Sequence, residues 1–492
     1  MTKKPDYYAA LGIFRDASLI EIKRAYFEAA QRLHPDKNKK RGETELFMEV
    51  QQAYEVLSNP KKRIEYDSSL TPEDDLDLPI LERTLYSRQS LVHLEENQLI
   101  YVMLEWKSRQ NENWLPAPSL NVCLVLDRSS SMKGIKIDLV KAAAIQLVRS
   151  LRQEDIFGVI GFSDRAEALI PSGYLLDKSK VEARIQMMTT SGSTEMYRGL
   201  ESGIAEVRRN LDPECVNHVI LLTDGHTYGD EQACLTLATE AAAQGIGISS
   251  LGIGQDWNDA LLDSLANRTG GSSMFVSMPQ DIKRFLTEKI NRLVKVFAEE
   301  TILEFECSPG VEITYAFRIQ PETVPFSPDS PLHLGPVLQD TPITVLLEFL
   351  IQPSAVQKKN LQFLEGSFRV KIASRPKPVK PLRVRLSRPV MDISYPDPPP
   401  ATMIQALTCL NLYRMQEKAQ SEVNLGKYDD ASQRLQHLAA HLLTQGERGL
   451  AQTALLEAEN VHQKQTFSEE GRKQIKYGTR SLILPDNKGK LL

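Results

Sequence analysis

Apolar side chains recur at helical spacing through the first seventy residues. Ile22, Ala25, Tyr26, Ala29 and Leu33 fall on one face of a predicted helix, and Ser18 with Glu21 supplies a capping box at its start. Pro35 ends that helix, because the residue before a proline is driven away from helical angles. A second helix presents Phe47, Val50, Tyr54 and Leu57 at intervals of three and four, so the pair is expected to zip into an antiparallel hairpin. Its tip is His34-Pro35-Asp36-Lys37-Asn38. The acidic run from Thr71 to Pro79 then reads as an extended, self-repelling linker that keeps the helical segment apart from the rest of the chain.

Beyond the linker the period changes. Leu91 to Leu104 alternates apolar and polar residues as strands do. From 118 to 296, apolar runs (Val122 to Leu126, Ile156 to Phe162, His218 to Leu222, Ile248 to Ile253) alternate with amphipathic helices. That pattern predicts a doubly wound, Rossmann-like α/β domain with a parallel sheet covered on both faces. Residues 297–392 return to short alternating strands broken by prolines, which predicts a β-sandwich; residues 80–117 are expected to join it, leaving the α/β domain as an insertion. A Pro-rich spacer at 393–401 leads to a helical tail at 402–492 with a turn near Gln445-Gly446. Gly426 to Ala431 is similar to part of a tetratricopeptide unit, but a single unit cannot bury a core, so plain packing against the sandwich is the expectation.

With 492 residues the chain is too long for one core, and the predicted units account for it as a multidomain protein. A net charge of -5 gives no general attraction to nucleic acid or anionic membrane, so neither is an expected partner. Cys123, Cys215, Cys234, Cys307 and Cys409 are far apart and odd in number, which disfavours a zinc site or a disulfide framework and predicts reduced, buried thiols. The first residues lack the apolar core of a signal peptide, and the most apolar stretch, Ile343 to Ile351, is short and carries Glu348. The expectation is a cytoplasmic location with no membrane span, where the Asn267-Arg268-Thr269 sequon has no use.

The helical segment resembles the J-domain family over roughly 65 positions. The resemblance rests on Asp6-Tyr7-Tyr8, Leu11-Gly12, Glu21-Ile22-Lys23, Ala25-Tyr26, His34-Pro35-Asp36, Phe47, Ala53-Tyr54, Leu57 and Arg63-x-x-Tyr66-Asp67. It implies that His34, Pro35 and Asp36 engage a DnaK-type chaperone and accelerate its ATP hydrolysis. Lys23, Arg24 and Arg32 would form the basic side of the helix that meets an acidic chaperone surface. Phe27-Glu28 departs from the basic residues many members carry there, and the Gly/Phe-rich and zinc regions of general client binders are absent from the sequence. The chain is similar to the specialised members, whose clients are chosen by an unrelated second domain.

Asp127-x-Ser129-x-Ser131 follows a predicted strand, Thr194 lies in Ser191-Gly-Ser-Thr194, and Asp224 lies in Leu222-Thr-Asp-Gly225. Each falls at the C-terminal end of a strand, where open α/β sheets place ligands. Over about 175 residues this resembles the von Willebrand factor A family with its metal-ion-dependent adhesion site. The resemblance implies a bound Mg²⁺ or Mn²⁺: Ser129, Ser131 and Thr194 give hydroxyl ligands, and Asp127 and Asp224 act mainly through waters. An open position would accept a Glu or Asp carboxylate from a protein ligand. Gly252-Ile-Gly254 reads as a strand-to-helix turn, and His93, His218 and His226 as ordinary polar residues.

Three functions are compatible with these motifs. The first is a co-chaperone adaptor using both constellations. The second is an assembly module, for instance a partner of a MoxR-type AAA ATPase, with a weak or vestigial J-domain. The third, a metal-dependent hydrolase built on Asp127 and Asp224, lacks any evident general base, so no catalytic residue is assigned and an enzyme is not expected.

Overall fold

The computed structural model describes residues 7–33, 41–70, 79–109, 118–225, 227, 229–278, 281–357, 359–372, 379–392 and 399–482. Four helices come first: α1 (Tyr7–Leu11), α2 (Leu19–Leu33), α3 (Arg41–Leu57) and α4 (Pro60–Leu70). The capping box forms as expected, with the Ser18 N–H donating to Glu21 Oε2 at 2.7 Å and the Glu21 N–H to Ser18 Oγ at 3.3 Å. Helices α2 and α3 pack together over Ile22, Ala29, Val50, Ala53 and Leu57, and Tyr26 stacks on Tyr54 with ring centres 4.1 Å apart. The loop holding His34, Pro35 and Asp36 lies outside the described residues.

Three strands come next, β1 (Ile80–Tyr86), β2 (Leu91–Val92) and β3 (Gln98–Ser108). The chain then leaves the sandwich for an α/β domain: β4 (Ser119–Asp127), α5 (Ile135–Ser150), β5 (Ile156–Phe162), β6 (Ala166–Tyr174), α6 (Lys178–Gln186), α7 (Met196–Arg209), β7 (Cys215–Thr223), α8 (Glu231–Ala243), β8 (Gly247–Ile253), α9 (Asp259–Thr269), β9 (Ser273–Val276) and α10 (Ile282–Val294). Its sheet runs β6-β5-β4-β7-β8-β9, parallel except for the β5–β6 pair. β4 is apolar from Val122 to Leu126 because both faces are covered: Val122, Leu124 and Leu126 join the core under α5 and α10, while Cys123 and Val125 join the one under α7 and α8.

The sandwich resumes with β10 (Val296–Ala298), β11 (Glu300–Cys307), β12 (Val311–Gln320), β13 (Val324–Phe326), β14 (Leu332–His333), β15 (Val337–Leu338), β16 (Ile343–Ile351), β17 (Asn360–Lys371) and β18 (Leu382–Met391). One sheet has the order β1-β3-β16-β12-β13 and the other β14-β11-β17-β18-β2, so the α/β domain is an insertion between β3 and β11. Trp106 stacks on Phe368 across the sheets at 4.2 Å. Helices α11 (Ala401–Asn424), α12 (Tyr428–Thr444), α13 (Arg448–Lys464) and α14 (Glu469–Ser481) complete the described fold. α11 packs Met403, Leu410 and Tyr413 against Phe317 and Leu346 of the sandwich, where Arg414 holds Glu348 through two bonds of 2.6 Å.

The helical unit also grips the inserted domain, a contact not anticipated from its pattern. Arg472 and Lys476 of α14 pair with Asp259, and Arg480 with Asp263 at 2.8 Å. Lys473 is fully buried and donates to the carbonyls of Gln255 and Trp257. The J-type helices are not held at a distance either. Phe14, in the turn between α1 and α2, lies between the Arg83 guanidinium and the Lys107 ammonium at 4.7 and 4.4 Å, and Lys107 pairs with Asp16 at 2.9 Å. The expectation of separated modules is therefore corrected: the turn between α1 and α2 rests on β1 and β3. None of the five cysteines is joined in a disulfide; Cys123, Cys234 and Cys409 are buried, whereas Cys215 and Cys307 are half-buried rather than inside as expected.

The insertion is locked at its base by Arg318 of β12. This buried guanidinium donates to the carbonyls of Gly270 (3.1 Å), Gly271 (2.7 Å), Leu334 (2.6 Å) and Glu322 (3.0 Å). Arg318→Met keeps the volume and strands those acceptors, at about 1–3 kcal/mol for each one left unpaired. A fall in the urea midpoint of the full chain worth at least about 3 kcal/mol is expected; an unchanged midpoint would show that the acceptors find other donors.

Candidate functional site

β4 lies between β5 and β7, so the crossovers leave it in opposite directions and a crevice opens at its C-terminal end. Asp127 is the last residue of β4, with no solvent exposure. Its Oδ1 accepts from the Ser129 N–H at 2.8 Å and its Oδ2 from the Thr223 hydroxyl at 2.7 Å. Ser129 Oγ and Ser131 Oγ are 3.0 Å apart, and Ser131 Oγ donates to Asp224 Oδ1 at 2.7 Å. The loop bearing Thr194 is stitched to the serine loop by Ser191 N–H to Arg128 O (2.8 Å) and Ser130 N–H to Gly192 O (3.0 Å). Thr194 Oγ1 lies close over Gly225: a β-carbon there would come within 2.9 Å of it.

The three loops thus meet in the order their motifs imply. Asp127 and Asp224 form a buried floor, Ser129 is also buried, and Ser131 with Ser191 to Ser193 makes an exposed rim. Two further glycines hold the Thr194 loop down on the sheet. β-Carbons at Gly199 and Gly203 of α7 would approach Phe162 and Val125 to 2.5 and 2.3 Å, so only glycine lets this helix sit so close. Asp127 is enclosed at its strand end. Burial raises its pKa, partly opposed by the Ser129 and Thr223 hydrogen bonds and reinforced by the charge of Asp224.

This donor set suits a hard cation. Hydroxyl and carboxylate oxygens converge, and two enclosed carboxylates stand side by side. No cluster of three or more His, Cys, Asp or Glu occurs among the described residues, so the soft or carboxylate-rich alternatives have no counterpart there. Lys136, which the motif reading missed, pairs with Asp224 Oδ2 from the first turn of α5. Thr223 was missed as well, although its place directly before Asp224 puts it at the end of β7 beside β4.

On α2, Lys23 and Arg24 are exposed, and Arg24 Nε meets Glu28 Oε1 at 2.9 Å, so the Phe27-Glu28 departure occupies one of the basic groups. Ile20 and Phe27 lie on the same face and are 79% and 64% exposed. Arg32 falls in α2, but its side chain, like His34, Pro35, Asp36 and His226, lies outside the described residues. His93 is exposed, whereas His218 is not an ordinary surface group: it is buried, 3.0 Å from Ser249 Oγ, and burial lowers its pKa to about 3.

Comparison with known proteins agrees with this architecture. Family models match the DnaJ domain at residues 6–67, the von Willebrand factor type A domain at 121–290 and the Sll0103-like C-terminal alpha-helical domain at 401–485. The sll0103 protein of Synechocystis sp. is 28% identical over 254 residues, covering 50% of this chain and 60% of that one. Chaperone protein DnaJ of Listeria monocytogenes is 52% identical over 64 residues, 13% of this chain and 17% of its own length. The chain thus spans less than two thirds of each of these relatives. Among solved structures, a von Willebrand factor type A protein from Catenulispora acidiphila superposes with a TM-score of 0.63 at 13% identity, covering 82% of this chain and 96% of that one. The ArnB paralog VWA2 from Sulfolobus acidocaldarius gives 0.51 at 15% identity, over 83% of this chain and 100% of its own. These two share the fold. No described helix is long and apolar enough to cross a membrane. The chain joins a J-domain of the DnaJ family to a von Willebrand factor type A domain in one polypeptide.

Proposed function

We propose that the protein is a co-chaperone adaptor, in which the J-domain stimulates a DnaK-type ATPase while the von Willebrand factor A domain holds a protein client. The observation that carries the reading is the arrangement of the two modules. The J-domain rests on the sandwich through its α1–α2 turn, which leaves Ile20, Lys23, Arg24 and Phe27 of α2 facing solvent. The hydroxyl rim of the other site is open as well. Each surface can engage a partner without displacing the other.

Within the α/β domain, Ser129, Ser131 and Thr194 would hold one divalent cation, with Asp127 and Asp224 as the anionic floor beneath it. Bound there, Mg²⁺ or Mn²⁺ would supply a Lewis-acidic position for a partner's Glu or Asp carboxylate. The chain's own part is to keep the five oxygens in register. Thr223 and the Ser129 N–H orient Asp127, and Gly225 lets Thr194 approach. Exposed Ile135, at the start of α5, gives a bound segment an apolar rest. The hydrolase reading gains no support, since Lys136, which reaches this set, is paired with Asp224 rather than left as a base.

Four outcomes test the proposal. Lys23→Glu with Arg24→Glu should remove most of the stimulation of a DnaK ATPase in single-turnover assays, as should His34→Gln; full stimulation by both would leave the J-domain as a structural brace and favour the assembly-module reading. Asp127→Asn should abolish Mg²⁺ or Mn²⁺ binding in calorimetry without lowering the metal-free melting temperature, because it removes a carboxylate whose charged form burial disfavours. Wild type should gain about 2.7 kcal/mol at a metal concentration a hundred times Kd. Protons compete with the metal for Asp127, whose pKa is raised, so affinity should fall on acidification sooner than an ordinary aspartate would dictate. A flat affinity through the mildly acidic range would contradict the assignment.

A further inference from the structure

The sandwich is open along one side. Among the described residues, β1 pairs with β3 alone, and β18 pairs with β17 along most of its length but with β2 only at Val390 and Met391. Among the described residues, the outer edge of β18 from Leu382 to Pro389 carries no strand. It borders a cleft of about 760 Å³ that is lined also by β1 and by the J-domain, Ile13 and Arg15 included.

Guanidinium groups dominate this cleft: Arg15 from the J-domain, Arg83 from β1, and Arg383, Arg385 and Arg388 from β18, against Glu82. Glu105 pairs with Arg83, whereas Arg383 and Arg385 share the single carboxylate of Glu365, two cations to one anion. The Arg383 and Arg385 side chains are 62% and 41% exposed. The backbone direction is also defined. The Ser387 N–H points into the cleft, where the Tyr86 hydroxyl accepts it, while the Val390 N–H points back to Lys359 O. Alternation along the strand places the Arg383 and Arg385 N–H groups on the same side as that of Ser387.

Charged residues on an edge strand commonly serve only to repel other strands, and Pro389 fits that role. Such guarding needs arginines on β18 alone. Here they converge from three elements around one cavity, and they repel basic or apolar strands while attracting acidic ones.

We propose that this cleft binds an extended acidic peptide segment of a partner protein, which adds a strand to β18 and turns its carboxylates toward the arginine walls. Backbone hydrogen bonds along β18 give the affinity, and the guanidinium groups select for Glu and Asp at alternate positions. Because Arg15 belongs to the J-domain, the ligand bridges it to the sandwich. The site is separate from the metal loops and does not depend on either activity proposed above.

The test uses the full chain and a fluorescein-labelled ten-residue peptide of alternating glutamate and valine, the length of β18. Anisotropy should report saturable binding that weakens about tenfold or more in Arg383→Glu/Arg385→Glu, with circular dichroism confirming the fold; Arg383→Gln/Arg385→Gln serves if the reversal does not fold. Hydrogen exchange should show the Arg383 and Arg385 amides protected by the peptide, while Ser387 stays bonded to Tyr86. A peptide of the same charge with proline in place of valine should lose most of its binding, because proline at every second position removes half of its N–H donors and keeps it from forming a regular paired strand. Equal binding by wild type and variant overturns the proposal. So does equal binding of the proline peptide or of a single-stranded oligonucleotide, which would mark plain polyanion attraction.

Discussion

Everything above the base of the inserted domain depends on the burial of one guanidinium. Arg318 is fully enclosed, and burial lowers its pKa to about 10, yet its donors are spent on carbonyl oxygens rather than on a carboxylate. Taking a cation out of water costs several kcal/mol and is offset only by complete hydrogen bonding. Two of the acceptors, Gly270 and Gly271, stand just beyond the C-terminal end of α9, where the helix dipole adds negative potential. Nearby, Glu322 is held well below the usual carboxylate range by Lys289 and Arg292, despite the opposing effect of burial. Polar joints of this kind are directional. They fix how the α/β domain is rotated on the sandwich, which an apolar joint of the same area would leave looser.

Local rules carried far through this sequence. The helical hairpin, the apolar strands of the central sheet and the three metal-type loops are each set by nearby residues: a capping box, a strand buried on both faces, a turn after a strand end. Arg318 shows where such reading stops. Along β12 it is one polar residue in an alternating strand, and its acceptors Gly270 and Leu334 lie 48 and 16 positions away. Lys473 and Lys136 are similar: one reads as the solvated face of a helix and the other as an ordinary residue in a first turn, but tertiary packing brings each to a specific partner. The enclosure of Asp127 was also hidden, because its neighbour Thr223 comes from another strand.

The contact between the J-domain and the sandwich is of a different kind. Phe14 between two cations contributes about 0.5–1 kcal/mol for each, and the partly exposed Lys107–Asp16 pair contributes about 0–1 kcal/mol. A joint this weak would not persist between separate proteins. Within one chain the partners are never far apart, so a few kcal/mol suffice to favour the docked arrangement while leaving it reversible. The chain therefore combines a stiff joint at the inserted domain with a yielding one at the J-domain.

The cysteines, none of them in a disulfide, give the stiffer parts of the molecule their own reporters. Cys123 and Cys234 sit in the core beneath α7 and α8, Cys409 lies where α11 meets the sandwich, and Cys307 packs at the margin of the sandwich core. Burial pushes the Cys123 and Cys234 thiols up, so they stay protonated and unreactive while that core is closed, and the thiolate needed for attack forms only when it opens. Alkylation of successive thiols would therefore date the opening of successive units. The wild-type chain carries its own clock for disassembly without any introduced label.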